Sequence, residues 1–140
     1  MSDDFLSDHL IGKEYVLSVS TMTSQSIPMV MLSAGNGDLN ANVHISDTDA
    51  IAFAALLTKH AARFVNVIER DDFLTDKIER PHYVLNVTTM TSQPSEPNIL
   101  ISFENGGLRI NVHIGDADAI AFAALLTKHA ERFAKMTESA

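Results

Sequence analysis

Hydrophobic and polar residues change rhythm in a fixed order along this chain. Tyr15, Leu17, Val19 and Thr21 alternate with Val16, Ser18, Ser20 and Met22, the period of two that predicts a strand. A second apolar run covers residues 29–34. After Asn36-Gly37, Leu39, Ala41, Val43 and Ile45 alternate with Asn40, Asn42 and His44. Asn-Gly favours positive φ at the centre of a type I′ turn, so these two runs are expected to pair antiparallel through a tight hairpin. From Asp47 to about Glu69 the spacing turns helical, with Phe53, Leu56, Leu57, Ala61, Phe64 and Ile68 on one broad arc. Ser46 stands where an N-cap belongs, and Asp49, three residues on, matches a capping-box-like start.

The same order then recurs. Asp3-Asp4-Phe5-Leu6 aligns with Asp71-Asp72-Phe73-Leu74, and Thr21-Met22-Thr23-Ser24-Gln25 with Thr89-Met90-Thr91-Ser92-Gln93. Beyond one extra residue near Glu96, Asn42-Val43-His44-Ile45 matches Asn111-Val112-His113-Ile114, and Ala50 through Ala61 matches Ala119 through Ala130 without a difference. Asn105-Gly106 repeats the hairpin signal, Gly115 takes the place of Ser46, and the second helix is expected from Asp116 to about Met136. The chain therefore reads as a tandem duplication of a β-β-β-α unit, repeats 3–69 and 71–136, each preceded by a short Asp-Asp-Phe-Leu segment. A unit of this size buries a marginal core on its own, so the repeats are expected to share one. The predicted class is α+β. It is a single pseudo-two-fold domain over residues 1–140, with antiparallel strands in one sheet or two abutting sheets and both helices packed on the apolar faces.

Composition narrows the function classes. Hydrophobic residues make up 46% of the 140, enough to fill a core, and cysteine is absent, which excludes disulfides, thiolate nucleophiles and cysteine-based metal sites. Eighteen acidic against ten basic side chains give a net charge of −8, which opposes phosphate backbones and anionic membrane surfaces. The acidic start and the lack of a long apolar run lead to the expectation of a soluble cytoplasmic protein with no membrane association.

Two surfaces invite a partner. Ile51, Ala52 and Ala55 lie opposite the core arc of the first helix, and Ile120, Ala121 and Ala124 do so in the second. A helix apolar nearly all round is normally covered on two sides, by the other helix or by a second chain, and a homodimer is expected. The strand positions turned away from the core include Asn42, His44, Asn111 and His113 in a face rich in hydroxyls and amides, with Arg109 its basic member. Such a face is either a solvated sheet or a docking surface.

Three further features carry candidate chemistry. The pattern His-Ile-x-Asp-x-Asp occurs as His44, Asp47, Asp49 and as His113, Asp116, Asp118, a set suited to a hard metal or to acid–base work. The aspartates are equally explained as helix N-terminal caps, the preferred reading, so no metal and no cofactor is assigned. His60 and His129 fall on or beside the apolar arc and are read as hydrogen-bonded structural histidines that can titrate near neutrality. Thr-Met-Thr-Ser-Gln is read as a turn after the first strand, its hydroxyls bonding local backbone. No phosphate-binding glycine loop, Gly-x-Ser-x-Gly or His-Glu-x-x-His occurs.

The strand end Val43-His44-Ile45, the capping Ser46 or Asp47 and the Ala/Leu-rich helix to Leu57, with their copy, resemble the end of the repeat in single-stranded-DNA-binding modules of the PC4 and whirly type. That resemblance implies a sheet face presented to nucleic acid. Those modules use a basic, aromatic face, whereas the outward positions here offer only Arg109. The leading expectation is a non-enzymatic protein-interaction module, such as an inhibitor, immunity or chaperone-like protein meeting a basic partner. A nucleic-acid-binding module is the alternative, and a metal-dependent enzyme at the two His/Asp junctions ranks third.

Overall fold

A computed structural model of the chain describes residues 5–12, 15–24, 27–36, 39–67, 74–93 and 96–138. Each repeat contributes four strands and a helix. In the first, β1 (Phe5–Ile11), β2 (Val16–Ser24), β3 (Ile27–Asn36) and β4 (Leu39–Ile45) lead into α1 (Asp47–Val67). In the second, β5 (Leu74–Glu79), β6 (Val84–Gln93), β7 (Glu96–Asn105) and β8 (Leu108–Ile114) lead into α2 (Asp116–Glu138). The strands form two antiparallel sheets in the orders β1-β2-β3-β4 and β5-β6-β7-β8. The α+β class and the duplication thus hold, and the unit gains a strand, β1 or β5, which opens at Phe5 or Leu74, while Asp3, Asp4 and residues 71–73 lie outside the described residues. None of the helices is long and apolar enough to cross a membrane among the described residues.

Register puts the alternating sets on opposite faces. Across the first sheet Leu17, Ala34 and Ala41 fall in one row, Val19, Leu32 and Val43 in the next, and Thr21, Val30 and Ile45 in a third. All nine are buried. The matching rows of the second sheet are Leu85, Phe103 and Ile110, then Val87, Ile101 and Val112, then Thr89, Ile99 and Ile114. Two residues in these rows break the repeat by size, since Phe103 and Ile110 stand where the first sheet has Ala34 and Ala41.

The helices change places. α1 packs on β5, β6 and β7 of the other repeat, and α2 packs on β1, β2 and β3. They also pack on each other, with Phe53 touching Phe122 edge-on at 6.5 Å and Phe103 of β7 at 5.9 Å. On α1 the buried residues Ala50, Phe53, Ala54, Leu57, His60 and Ala61 recur at the i, i+3, i+4, i+7 spacing of a single wide stripe. Its alanine flank leaves room for a close helix neighbour.

Local chemistry sets the boundaries. Only Ser46 separates β4 from α1, and Gly115 does the same for α2. The Ser46 hydroxyl accepts the Asp49 N–H at 3.1 Å, and the carbonyls of Ser46 and Gly115 accept the first intrahelical bonds, from Ala50 and Ala119, at 3.0 Å. The second hairpin turns at Gly106-Gly107, one residue later than expected, between the paired Asn105 and Leu108. Positive φ there belongs to Gly106 alone, at 69°, which fits a type II′ turn rather than type I′. Gly37 of the first hairpin, Gln25, Ile68 and Glu69 lie outside the described residues, as does the side chain of Phe64.

Thr-Met-Thr-Ser is not a turn. Residues 21–24 continue β2, and residues 89–93 continue β6. The alternation that buries Leu17 and Val19 simply runs on, which directs Thr21 into the core.

Candidate functional site

The helix exchange builds a pair of polar networks in the core. His129 of α2 and His60 of α1 are both 0% exposed. His129 lies on the first sheet between Thr21 of β2, bonded to Nδ1, and Asp8 of β1, whose Oδ2 is 2.7 Å from Nε2. His60 repeats this on the second sheet with Thr89 of β6 and Asp76 of β5, the latter at 2.8 Å. A carboxylate only accepts, so Nε2 carries the proton and Nδ1 accepts from the threonine hydroxyl, which fixes each neutral imidazole in one tautomer. Lys128 reaches Asp8 at 3.0 Å and Lys59 reaches Asp76 at 3.1 Å.

Electrostatics follow from these contacts. The hydrogen bond from His129, followed by that from Lys128, holds the Asp8 carboxyl below its ordinary value. Burial pushes the Asp76 carboxyl up, but His60 and Lys59 outweigh it and the net shift is downward. Burial pushes His129 down, only partly opposed by Asp8. Both threonines and both imidazoles are shut off from solvent, so this Thr-His-Asp geometry has no access for a substrate. Each histidine is hydrogen-bonded, as expected, and its network pins one helix to the opposite repeat.

A second cross-repeat contact sits at each helix N-terminus. Asp49, 3% exposed, takes a bidentate pair from Arg80, with Nε to Oδ2 at 2.9 Å and Nη2 to Oδ1 at 2.7 Å. The Tyr83 hydroxyl also donates to it. Burial pushes the Asp49 carboxyl up, and Arg80 and Tyr83 bring it below its ordinary value; Tyr83, buried and facing that carboxylate, is pushed up to about 12. In the twin site the Tyr15 hydroxyl donates to Asp118, and Gly12 stands where Arg80 would be. The Tyr15 ring lies over Gly12, in the space where a Cβ would fall 2.3 Å from it.

These contacts revise the two His/Asp junctions. Asp49 is not a reciprocal cap on Ser46 but the acceptor of Arg80 and Tyr83, while His44 lies exposed on the opposite face of β4. No group of three or more metal-ligating side chains converges among the described residues. The sequence reading did not find Arg80, Thr21, Thr89, Asp8 or Asp76; for the threonines the signal was their place in the buried alternation.

The predicted interaction residues occupy two surfaces. On the outward sheet faces, Asn42, His44, Asn111 and His113 are exposed. Ser33 donates to Asn42 Oδ1, and Ser102 donates to Asn111 Oδ1 at 2.6 Å. His9 bonds Ser18 at 2.8 Å, Ser20 donates to Ser7 at 2.9 Å, and Thr75 bonds Thr88 at 3.0 Å, although Ser20, Thr88 and Ser102 are themselves buried. Where the sheets meet, Asn105 Nδ2 donates to the Asn42 carbonyl at 2.6 Å. On the helices, Ile51 and Ile120 are 51% and 53% exposed; Ala55 and Ala124 are exposed as well, and Ala52 and Ala121 are half-buried. The helices thus pack on each other without covering Ile51, Ala55, Ile120 and Ala124, whereas Ala52, expected on the outer side, packs against the core.

No family model matches the chain, and no curated protein aligns with it significantly.

Proposed function

We propose that this protein is a non-enzymatic interaction module that receives a protein partner on the outward faces of its two sheets. The observation carrying this reading is the repeated exposed pair Asn42 and Asn111, each already held by a serine across the strands, half-buried Ser33 and buried Ser102. A solvated sheet face commonly carries loose lysines and glutamates; here the side chains are short, and partners across the strands already hold them. Such preorganisation lowers the entropic cost of binding.

Three of the acidic side chains are turned away from this face. Asp8, Asp49 and Asp76 are bonded to groups on the helix side of the sheets. On the outward face Glu104 pairs across the strands with Arg109, and Lys77 lies 4.0 Å from Glu79. The remaining negative field acts at longer range and favours encounter with a basic partner, while hydrogen bonds at the face supply specificity.

Single-stranded nucleic acid on the same faces is the second reading, with Lys77 and Arg109 in its favour. One set of proteins separates the two. Affinity enrichment from the native host is carried out with wild type, with an Asn42→Lys/Asn111→Lys variant, and with an Ile51→Glu/Ile120→Glu variant. The protein-binding reading expects one partner retained by wild type and the helix variant and lost by the sheet variant. Retention by the sheet variant overturns it. Submicromolar oligonucleotide binding that strengthens in the lysine variant and weakens steeply with salt replaces it with the second reading.

A further inference from the structure

We propose that Asp118, beside Tyr15 at the start of α2, is an open receptor for a guanidinium group such as an arginine side chain carries. The sheet-face reading rests on neither residue, so the two stand or fall separately.

The twin site shows what such a carboxylate holds. At the start of α1, Asp49 grips the Arg80 guanidinium as a fork, Nε on Oδ2 at 2.9 Å and Nη2 on Oδ1 at 2.7 Å, while the Tyr83 hydroxyl donates to Oδ2. The second site keeps the aspartate and the tyrosine, with the Tyr15 hydroxyl donating to Asp118 Oδ2. Two side chains that crowd the first site are reduced to glycine in the second. Gly12 stands in place of Arg80 and Gly115 in place of Ser46, and a Cβ at Gly115 would meet nothing within 4 Å. Beneath Arg80, Asp49 is 3% exposed, whereas Asp118 is half-buried and reached by solvent. Among the described residues only Tyr15 donates to Asp118, which leaves Oδ1, the oxygen that takes Nη2 in the twin, open to a donor from outside.

Shape and charge select the ligand. A planar guanidinium meets a carboxylate with two parallel N–H bonds, a match that a lysine ammonium does not make. The positive end of the α2 dipole opposes a cation, but α1 presents the same end to Arg80, so the carboxylate outweighs it. Asp116 adds a second negative charge in the same first turn, and the net charge of −8 draws cations toward the molecule.

Nuclear magnetic resonance on the full chain tests this, with acetyl-Gly-Arg-Gly-amide, its lysine counterpart and methylguanidinium as probes. The arginine peptide should shift the amides of Gly12, Tyr15 and Asp118 saturably, with half-saturation in the millimolar range. The lysine peptide should bind more weakly, and Asp118→Asn should weaken arginine binding about tenfold or more while circular dichroism is unchanged. Arg80→Ala should open the first site as well, adding saturable shifts at Asp49 and Tyr83. Tighter binding of the arginine peptide than of methylguanidinium assigns the group to an arginine residue, and the reverse order to a free guanidine; both support the site. Absence of a saturable shift at Asp118 up to about 50 mM, equal binding of the arginine and lysine peptides, or undiminished binding by Asp118→Asn each overturns the proposal.

Discussion

Thr21→Val isolates what the buried histidine networks contribute. Valine keeps the shape of threonine, so the substitution leaves no cavity and removes one hydroxyl from a site with 0% exposure. His129 Nδ1 then faces a methyl group, while Nε2 stays committed to Asp8 at 2.7 Å. Leaving a buried acceptor without its donor costs about 1–3 kcal/mol. Burying a methyl in place of the hydroxyl returns up to about 1 kcal/mol, so a net loss of about 1–2 kcal/mol is expected. For 140 residues the unfolding entropy is about 0.3 kcal/mol/K, which makes the drop in Tm about 3–7 °C. Urea titration should show a lower midpoint at constant slope. Thr89→Val should behave alike through His60, and the double variant should sum the two losses within about 0.5 kcal/mol. A valine variant as stable as wild type or more so would show that these threonines only fill space, and the networks would lose their assigned role.

Three further outcomes follow from the same contacts. His129 is held below its ordinary 6.5, so its unfolded form takes up protons first; stability should be flat at higher pH and fall as pH drops through about 6.5 toward the folded value. Asp8, Asp49 and Asp76 are held below 3.8, so a second loss should begin as pH falls through about 4; a Tm that rises between pH 7 and pH 5 would contradict the first step. Arg80→Met leaves the buried Asp49 carboxylate without its bidentate partner and should lower the urea midpoint, and an unchanged midpoint would mean that solvent screening leaves the exposed guanidinium without effect. Gly12→Ala forces the Tyr15 ring off its hydrogen bond to Asp118 and should lower stability by about 1–2 kcal/mol, whereas an unchanged midpoint would mean that the ring moves at no cost.

The duplication, the hairpin pairs and both helix starts were legible because each rests on a local rhythm. β1 and β5 were not, since their inward positions include Asp8 and Asp76 where a half-buried strand would show an apolar side chain. The charge is tolerated at a sheet edge because a histidine comes down from the helix of the other repeat to meet it, a partner no local window contains. The exchange of helices was illegible for a deeper reason. Two nearly identical repeats offer each helix two nearly identical sheets, and the pattern of apolar positions is satisfied equally by either. The connection decides: with only Ser46 or Gly115 between strand and helix, the helix runs on from the edge strand instead of folding back over its own sheet.

That exchange makes each repeat a half-core, and the two halves have diverged to fit one another. Every member of the histidine networks occurs once per repeat: Asp8, Thr21 and His60 in the first, Asp76, Thr89 and His129 in the second. Either repeat therefore carries the groups needed to build both histidine networks with a copy of itself. Core volume argues otherwise. Two first repeats would place Ala34 and Ala41 on both sheets and leave voids where Phe103 and Ile110 now sit, at about 2–5 kcal/mol for each large side chain missing. Two second repeats would bring a pair of Phe103 side chains to the Phe53–Phe122 contact, where overpacking costs about 1–3 kcal/mol. The mixed pair keeps one large and one small sheet. Fragments 1–70 and 71–140, expressed separately and mixed, should then assemble with each other in marked preference to themselves. Native mass spectrometry of the mixture gives the ratio directly, and a statistical distribution of like and unlike pairs would show that Phe103 and Ile110 do not discriminate.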